Sequence, residues 1–223
     1  MENNINFLTF HSGSGGHFLA MKLFLTHGIY NQFRYAGNIE YQKSNNFFEY
    51  ENVEQGFNNQ NLNIENLNDL PLMGSNRFWT GHIEENNIEY AKQVIGQNKI
   101  YSLFGIKSYG YHTLLGAIKR SSNGHQNEYI PPENEVDAFI NEWKHEKKQE
   151  IGIHINWDYI FYNTNQEYIN FVGQCFGCDK LVYDDYFLEY TSRSLKLVID
   201  LYPCLKNNKF ILGFDNKVLE RVL

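Results

Sequence analysis

The chain has 223 residues, a formal net charge of −7, and 42% hydrophobic and 16% aromatic residues. That is enough apolar material to bury a full core, which excludes a disordered chain and fits one sizeable domain over residues 1–223. The acidic balance excludes a surface that coats nucleic acid, which would be basic, but leaves room for a local basic pocket around one anion.

Met1 to Asn6 is polar and acidic, so no signal peptide is expected. No run approaches the ~20 apolar residues of a membrane span, and the expected setting is the cytoplasm. Ile5, Phe7, Leu8 and Phe10 then form an apolar run with the length of a buried strand. Gly13, Gly15 and Gly16 follow at once, and Phe18, Leu19, Leu23 and Phe24 recur at helical spacing. Strand, glycine turn and amphipathic helix make the layout of a phosphate-binding loop, in which backbone N–H groups converge at the positive end of a helix dipole. The common nucleotide-binding pattern GxxxxGK[ST] is not met, because Leu19 stands where its lysine belongs.

A polar, asparagine-rich excursion covers about 28–76, with Leu62, Ile64, Leu67 and Leu70 spaced for a short helix. A connection this long is expected to be a lid or a substrate-facing excursion. Arg77 to Ile83 reads as a second strand, Ile88 to Ile95 as a short helix and Lys99 to Ile106 as a third strand. A helix carrying Lys119 and Arg120 follows, and that pair is expected to be a solvated helix end favoured by the dipole. Val136, Phe139, Ile140 and Trp143 mark another helix, ending in the charged run KHEKKQE. Ile151 to Ile160 is a fourth strand, Gln166 to Phe176 a helix with Gly177 as its C-cap, and Tyr186 to Leu201 a last helix stopped by Pro203. Phe210 to Phe214 reads as an edge strand or extended tail. Cys175 and Cys178 form an isolated C-x-x-C, better read as two ordinary buried thiols than as a metal or redox pair.

Strands alternating with helices call for an α/β fold, a parallel sheet with helices on both faces and ligands at the carboxyl ends of the strands. Thr80, Gly81 and His82 would lie at such an end. Histidine there is suited to take a proton from a hydroxyl near neutral pH.

These segments resemble, in order over roughly residues 5 to 200, those of the P-loop sulfotransferases, and the resemblance implies a P-loop NTPase-like three-layer fold. Ser14, Gly15, Gly16, His17, Phe18 and Leu19 fall on the family's S-G-T-T-x-L, and Thr80-Gly81-His82 on its strand-end histidine element. Trp157-Asp158 falls where its Y-E-D stands. By resemblance the chain transfers a sulfuryl group from 3′-phosphoadenosine 5′-phosphosulfate (PAPS) to a hydroxyl or amine of a small-molecule or glycan acceptor, without a metal. Gly13, Ser14, Gly15, Gly16, His17 and Phe18 would hold the 5′-phosphosulfate, His82 would be the general base, and Lys107 and Thr113 would meet the 3′-phosphate. Two departures stand out. Gly13 replaces the family's loop lysine and Gly105 its 3′-phosphate arginine, so His17, Lys22 or Lys107 would have to supply the missing charge. A phosphotransferase on a related P-loop, or a silent binding protein on the same fold, are the other readings; acceptor and oligomeric state are not legible.

Overall fold

The computed structural model describes residues 5–10, 13–27, 72–73, 75–81, 99–122, 128–142 and 152–223. The expected excursion up to residue 71, the short helix at 88–95 and the charged run after Trp143 lie outside them. The described residues form an α/β fold on a five-stranded sheet ordered β2-β3-β1-β4-β5. Four strands run parallel: β1 (Ile5–Phe10), β3 (Asn76–Gly81), β4 (Ile100–Phe104) and β5 (Ile153–Asn156). Strand β2 (Leu72–Met73) is antiparallel to β3, a pairing within the polar excursion that its composition does not announce.

Strand β1 is central. Thr9 lies opposite Gly81 on one side and Ser102 on the other, so β3 and β4 flank it in register. All six of its residues are buried, as a strand covered on both faces requires. The chain leaves β1 toward β3 and later crosses to β4 on the other side. The carboxyl end of β1 is therefore the point where the strand order reverses, and crevices for ligands open at such points.

The helices are α1 (Gly16–Thr26), α2 (Tyr109–Ser122), α3 (Val136–Glu142), α4 (Gln166–Cys175), α5 (Asp185–Leu201) and α6 (Asn216–Val222). Each of α4, α5 and α6 starts on a side-chain cap. Asn165 accepts from Tyr168 N, Asp184 from Tyr186 N and Phe187 N, and Asp215 from Lys217 N. Gly177, at φ 78°, closes α4 as expected. Trp157 to Ile160 does not continue β5: a π-helical turn (Asp158–Tyr162) begins there instead. Asp158 N bonds its neighbour Asn156 Oδ1 at 2.9 Å, which bends the chain off the sheet. Phe210 to Phe214 is likewise not extended. Ile211–Gly213 is a 3₁₀ turn, and Phe210 and Phe214 pack on Tyr111 and Tyr162.

The core is continuous from Leu8, Phe78 and Leu103 through Phe18, Trp157, Phe161 and Phe187 to Leu195 and Val218. No helix among the described residues is long and apolar enough to cross a membrane.

Candidate functional site

Immediately after β1 the chain makes the turn Gly13–Gly16 with two residues at positive φ, Gly13 at 84° and Gly15 at 73°. The turn delivers the chain to α1, whose first bond runs from Leu19 N to Gly15 O at 2.9 Å. The amides of Gly15 and Gly16 meet no acceptor among the described residues, which is the condition of donors at a helix start awaiting a partner. Ser14, Gly15 and Gly16 are nevertheless buried, and Gly13 is partly so. Three neighbours enclose them. A Cβ on Gly16 would fall on the ring of Phe10, one on Gly15 would lie 2.8 Å from the Tyr190 hydroxyl, and one on Gly13 would collide with the carbonyl of His112 and stand 2.7 Å from Gly116 N. Trp157 Nε1 donates to Ser14 O at 2.9 Å and fixes the turn from the β5 side.

The approach of α2 accounts for the first departure from the sulfotransferase pattern. At Gly13 both the positive φ and the backbone of His112 and Gly116 exclude a side chain, so a lysine has no place there. The second departure has the same kind of cause. A Cβ on Gly105, just beyond β4, would fall on Ser108 Oγ and lie 2.9 Å from Asp158 Oδ1.

Those two residues belong to a buried polar cluster that no sequence pattern singled out. The Ser108 hydroxyl donates to Asp158 Oδ1 at 2.6 Å, and Lys107 N donates to Asp158 Oδ2 at 3.2 Å. The hydroxyl proton being spent on the carboxylate, His112 Nε2 at 2.9 Å is the donor to Ser108 Oγ. Serine stands between histidine and aspartate, so the carboxylate does not orient the imidazole as a nucleophilic triad requires. What the cluster does is lock the start of α2 to the turn after β5. A serine and histidine four apart, directly after a buried strand, was the available signal. Asp158 comes from fifty residues further on and only the fold brings it in.

The sequence-predicted residues are partly assembled. Gly13 to Phe18 and Lys107 follow the ends of adjacent parallel strands. Phe18 faces inward, stacked on Tyr190 at 4.2 Å, and is part of the core and not of a binding surface. The Lys107 side chain is exposed. Thr113 is half-buried and spends its proton on Tyr109 O at 3.0 Å, leaving its oxygen able only to accept. A phosphate oxygen, itself an acceptor, gains nothing from it in that rotamer. Gly81 ends β3 in register with β1, while His82 lies outside the described residues, as does the side chain of His17.

Two cation expectations are corrected. Lys22 is buried and its ammonium is held by Asp184, over the rings of Tyr186 and Phe187 at 5.2 and 5.5 Å, so it does not serve the turn. Lys119 is no solvated helix end: it is 8% exposed, with its ammonium 5.4 Å from the centre of the Tyr190 ring. Arg120 instead makes a forked pair with Glu128 at 2.6 and 2.7 Å. Cys175, Cys178 and Cys204 are free thiols, and no group of three or more His, Cys, Asp or Glu that could hold a metal ion occurs among the described residues. No family model, no curated protein and no solved structure matches the chain.

Proposed function

We propose that the chain is a sulfotransferase-like enzyme that moves a sulfuryl group from PAPS to a hydroxyl or amine of a small-molecule or glycan acceptor, on a P-loop NTPase-like arrangement with helices on both faces of the sheet. One observation carries this reading. Two positive-φ glycines, at the reversal point of a parallel sheet, leave the Gly15 and Gly16 amides without acceptors among the described residues at the start of an 11-residue helix. Such a turn suits a phosphosulfate oxyanion, because preorganised dipoles stabilise charge without having to reorganise. Lys107, one strand over, offers a point charge for the 3′-phosphate. His82, next after the last residue of β3, would take the acceptor proton as the acceptor oxygen bonds to sulfur. The bond from sulfur to the bridging phosphate oxygen breaks in the same step, and its electron pair leaves with adenosine 3′,5′-bisphosphate.

A second reading, a binding protein without turnover, draws on a different observation: Ser14, Gly15 and Gly16 are enclosed by Phe10, Tyr190 and α2.

The test is titration of the full chain with adenosine 3′,5′-bisphosphate and with ATP, with and without Mg²⁺, followed by calorimetry. The bisphosphate should bind without metal and better than ATP. Lys107→Met should weaken it by on the order of tenfold, the worth of one charge-assisted contact. His82→Ala should keep binding and lose sulfuryl transfer from PAPS to model phenols and sugars. Bisphosphate binding with no transfer in the wild-type chain supports the second reading; binding of no adenosine phosphate overturns both.

A further inference from the structure

We infer that Trp157 and Asp158, consecutive residues at the end of β5, are positioning residues for the two ends of one nucleotide, with Asp158 setting the preference for a ligand that carries a 3′-phosphate. The inference rests on the proposed reading, in which the glycine turn takes the 5′ end of the nucleotide and Lys107 its 3′-phosphate.

The placement follows from the sheet. Leu103 lies opposite Phe10 and Asn156 opposite Phe104, so the segments leaving β1, β4 and β5 emerge side by side at its carboxyl end. Trp157 N donates to Phe104 O at 3.0 Å, and from there the two side chains divide. Trp157 packs edge-on to the ring of His112 at 4.1 Å and donates from Nε1 to Ser14 O, within the glycine turn. Asp158 meets the loop that joins β4 to α2 instead.

In that loop Ile106 and Lys107 are exposed, while Gly105 and Ser108 on either side of them are buried. The Asp158 carboxylate is the inner support. Its Oδ2 accepts from Lys107 N at 3.2 Å, its Oδ1 from the Ser108 hydroxyl at 2.6 Å, and a Cβ on Gly105 would stand 2.9 Å from Oδ1. A bond from an amide to a carboxylate is stronger than one to a neutral acceptor, so it fixes the point from which the Lys107 side chain leaves the backbone. The amide is spent on Asp158, and the ammonium is what Lys107 brings to a ligand. Holding its root still reduces the freedom lost when that ammonium closes on an anion. Trp157 does the same for the turn, one residue earlier in the chain.

The test compares adenosine 3′,5′-bisphosphate with adenosine 5′-monophosphate on the full chain, by calorimetry. The wild-type chain should prefer the bisphosphate by on the order of tenfold, the worth of the Lys107 contact. Asp158→Ala should erase that preference while holding the monophosphate to within about twofold, and adding Lys107→Met to it should cost nothing more. Asp158→Asn should keep most of the preference, since its carbonyl still accepts from Lys107 N while its amide donates to Ser108 Oγ. Trp157→Phe should weaken both nucleotides alike, through the turn they share. A preference that survives Asp158→Ala, or a loss there that is equal for the two nucleotides, overturns the inference and leaves the PAPS reading standing. So does Asp158→Asn failing as badly as Asp158→Ala, because then charge and not position is what counts. Should Asp158→Ala not fold, hydrogen exchange of the Lys107 amide in the wild-type and Asp158→Asn chains decides. Protection in both, together with the preference, upholds the inference; exchange at the rate of an open loop overturns it. Equal affinity of the wild-type chain for the two nucleotides overturns the inference and the role of Lys107 while keeping the turn, and binding of neither overturns the PAPS reading as well.

Discussion

Gly13 and Gly105 are the positions at which the proposed sulfotransferase resemblance would call for two cations, and in each case the place of a Cβ is already taken. At Gly13 the obstacle is backbone, which cannot rotate aside; at Gly105 it is a hydroxyl engaged with a carboxylate. Restoring the pattern is therefore a test of packing. Gly13→Lys should lower the unfolding free energy by about 2–4 kcal/mol, from the left-handed backbone and the overlap with α2 together, and should not tighten any anion. Urea unfolding beside pyrophosphate titration measures both; a stable, tighter-binding Gly13→Lys chain would show that α2 yields. The glycine turn itself was legible at this scale because glycine is the residue that such φ values demand. The Ser108–His112–Asp158 cluster was not, since each member alone has several ordinary explanations and only tertiary proximity selects one.

Helix α5 illustrates what an element conveys and what it conceals. Its core spacing and its stop before Pro203 are visible in the sequence, as are the spacing and glycine cap of α4. The role of Asp184 is not, because its partner Lys22 lies 162 positions away. Asp184 caps two amides of α5 and holds the buried ammonium of α1, so it fastens the last long helix to the first. Asp184→Ala should cost about 1–2 kcal/mol, the worth of a cap plus a pair discounted for its partly exposed carboxylate, and Asp184→Asn distinctly less. Chemical denaturation ranks the two; equal losses would mean that only the ion pair counts. Elements were misread where a local bond competes with periodicity. The apolar alternation of Ile151 to Ile160 continues past Asn156, but the Asn156–Asp158 bond and the packing of Trp157 end the strand there. The short α6 escaped notice because one cap and one buried position, Val218, carry it.

For the molecule as a whole, ionisation of buried groups sets the upper pH limit. The Cys178 thiol is pushed up to about 11 by burial, with Asp179 adding to it, from an ordinary value of 9.0. Its contribution to stability is complete below pH 9. Above that the unfolded chain releases a proton that the folded chain keeps, so stability falls as pH rises toward 11. Tyr111, fully enclosed, is raised as well, and burial raises Tyr101, Tyr162, Tyr168 and Tyr183 in the same sense. The slope of unfolding free energy against pH between 9 and 11 should be negative and should become shallower in Cys178→Ala; an unchanged slope would assign the loss to the tyrosines. The bond from Trp157 to Ser14, spanning 143 positions, has a consequence for biosynthesis. A ribosome makes the glycine turn well before the residues that brace and roof it, Trp157 and Tyr190. The turn is without its walls until those residues have been made, and a product cut short before α5 would carry the loop but not the chamber.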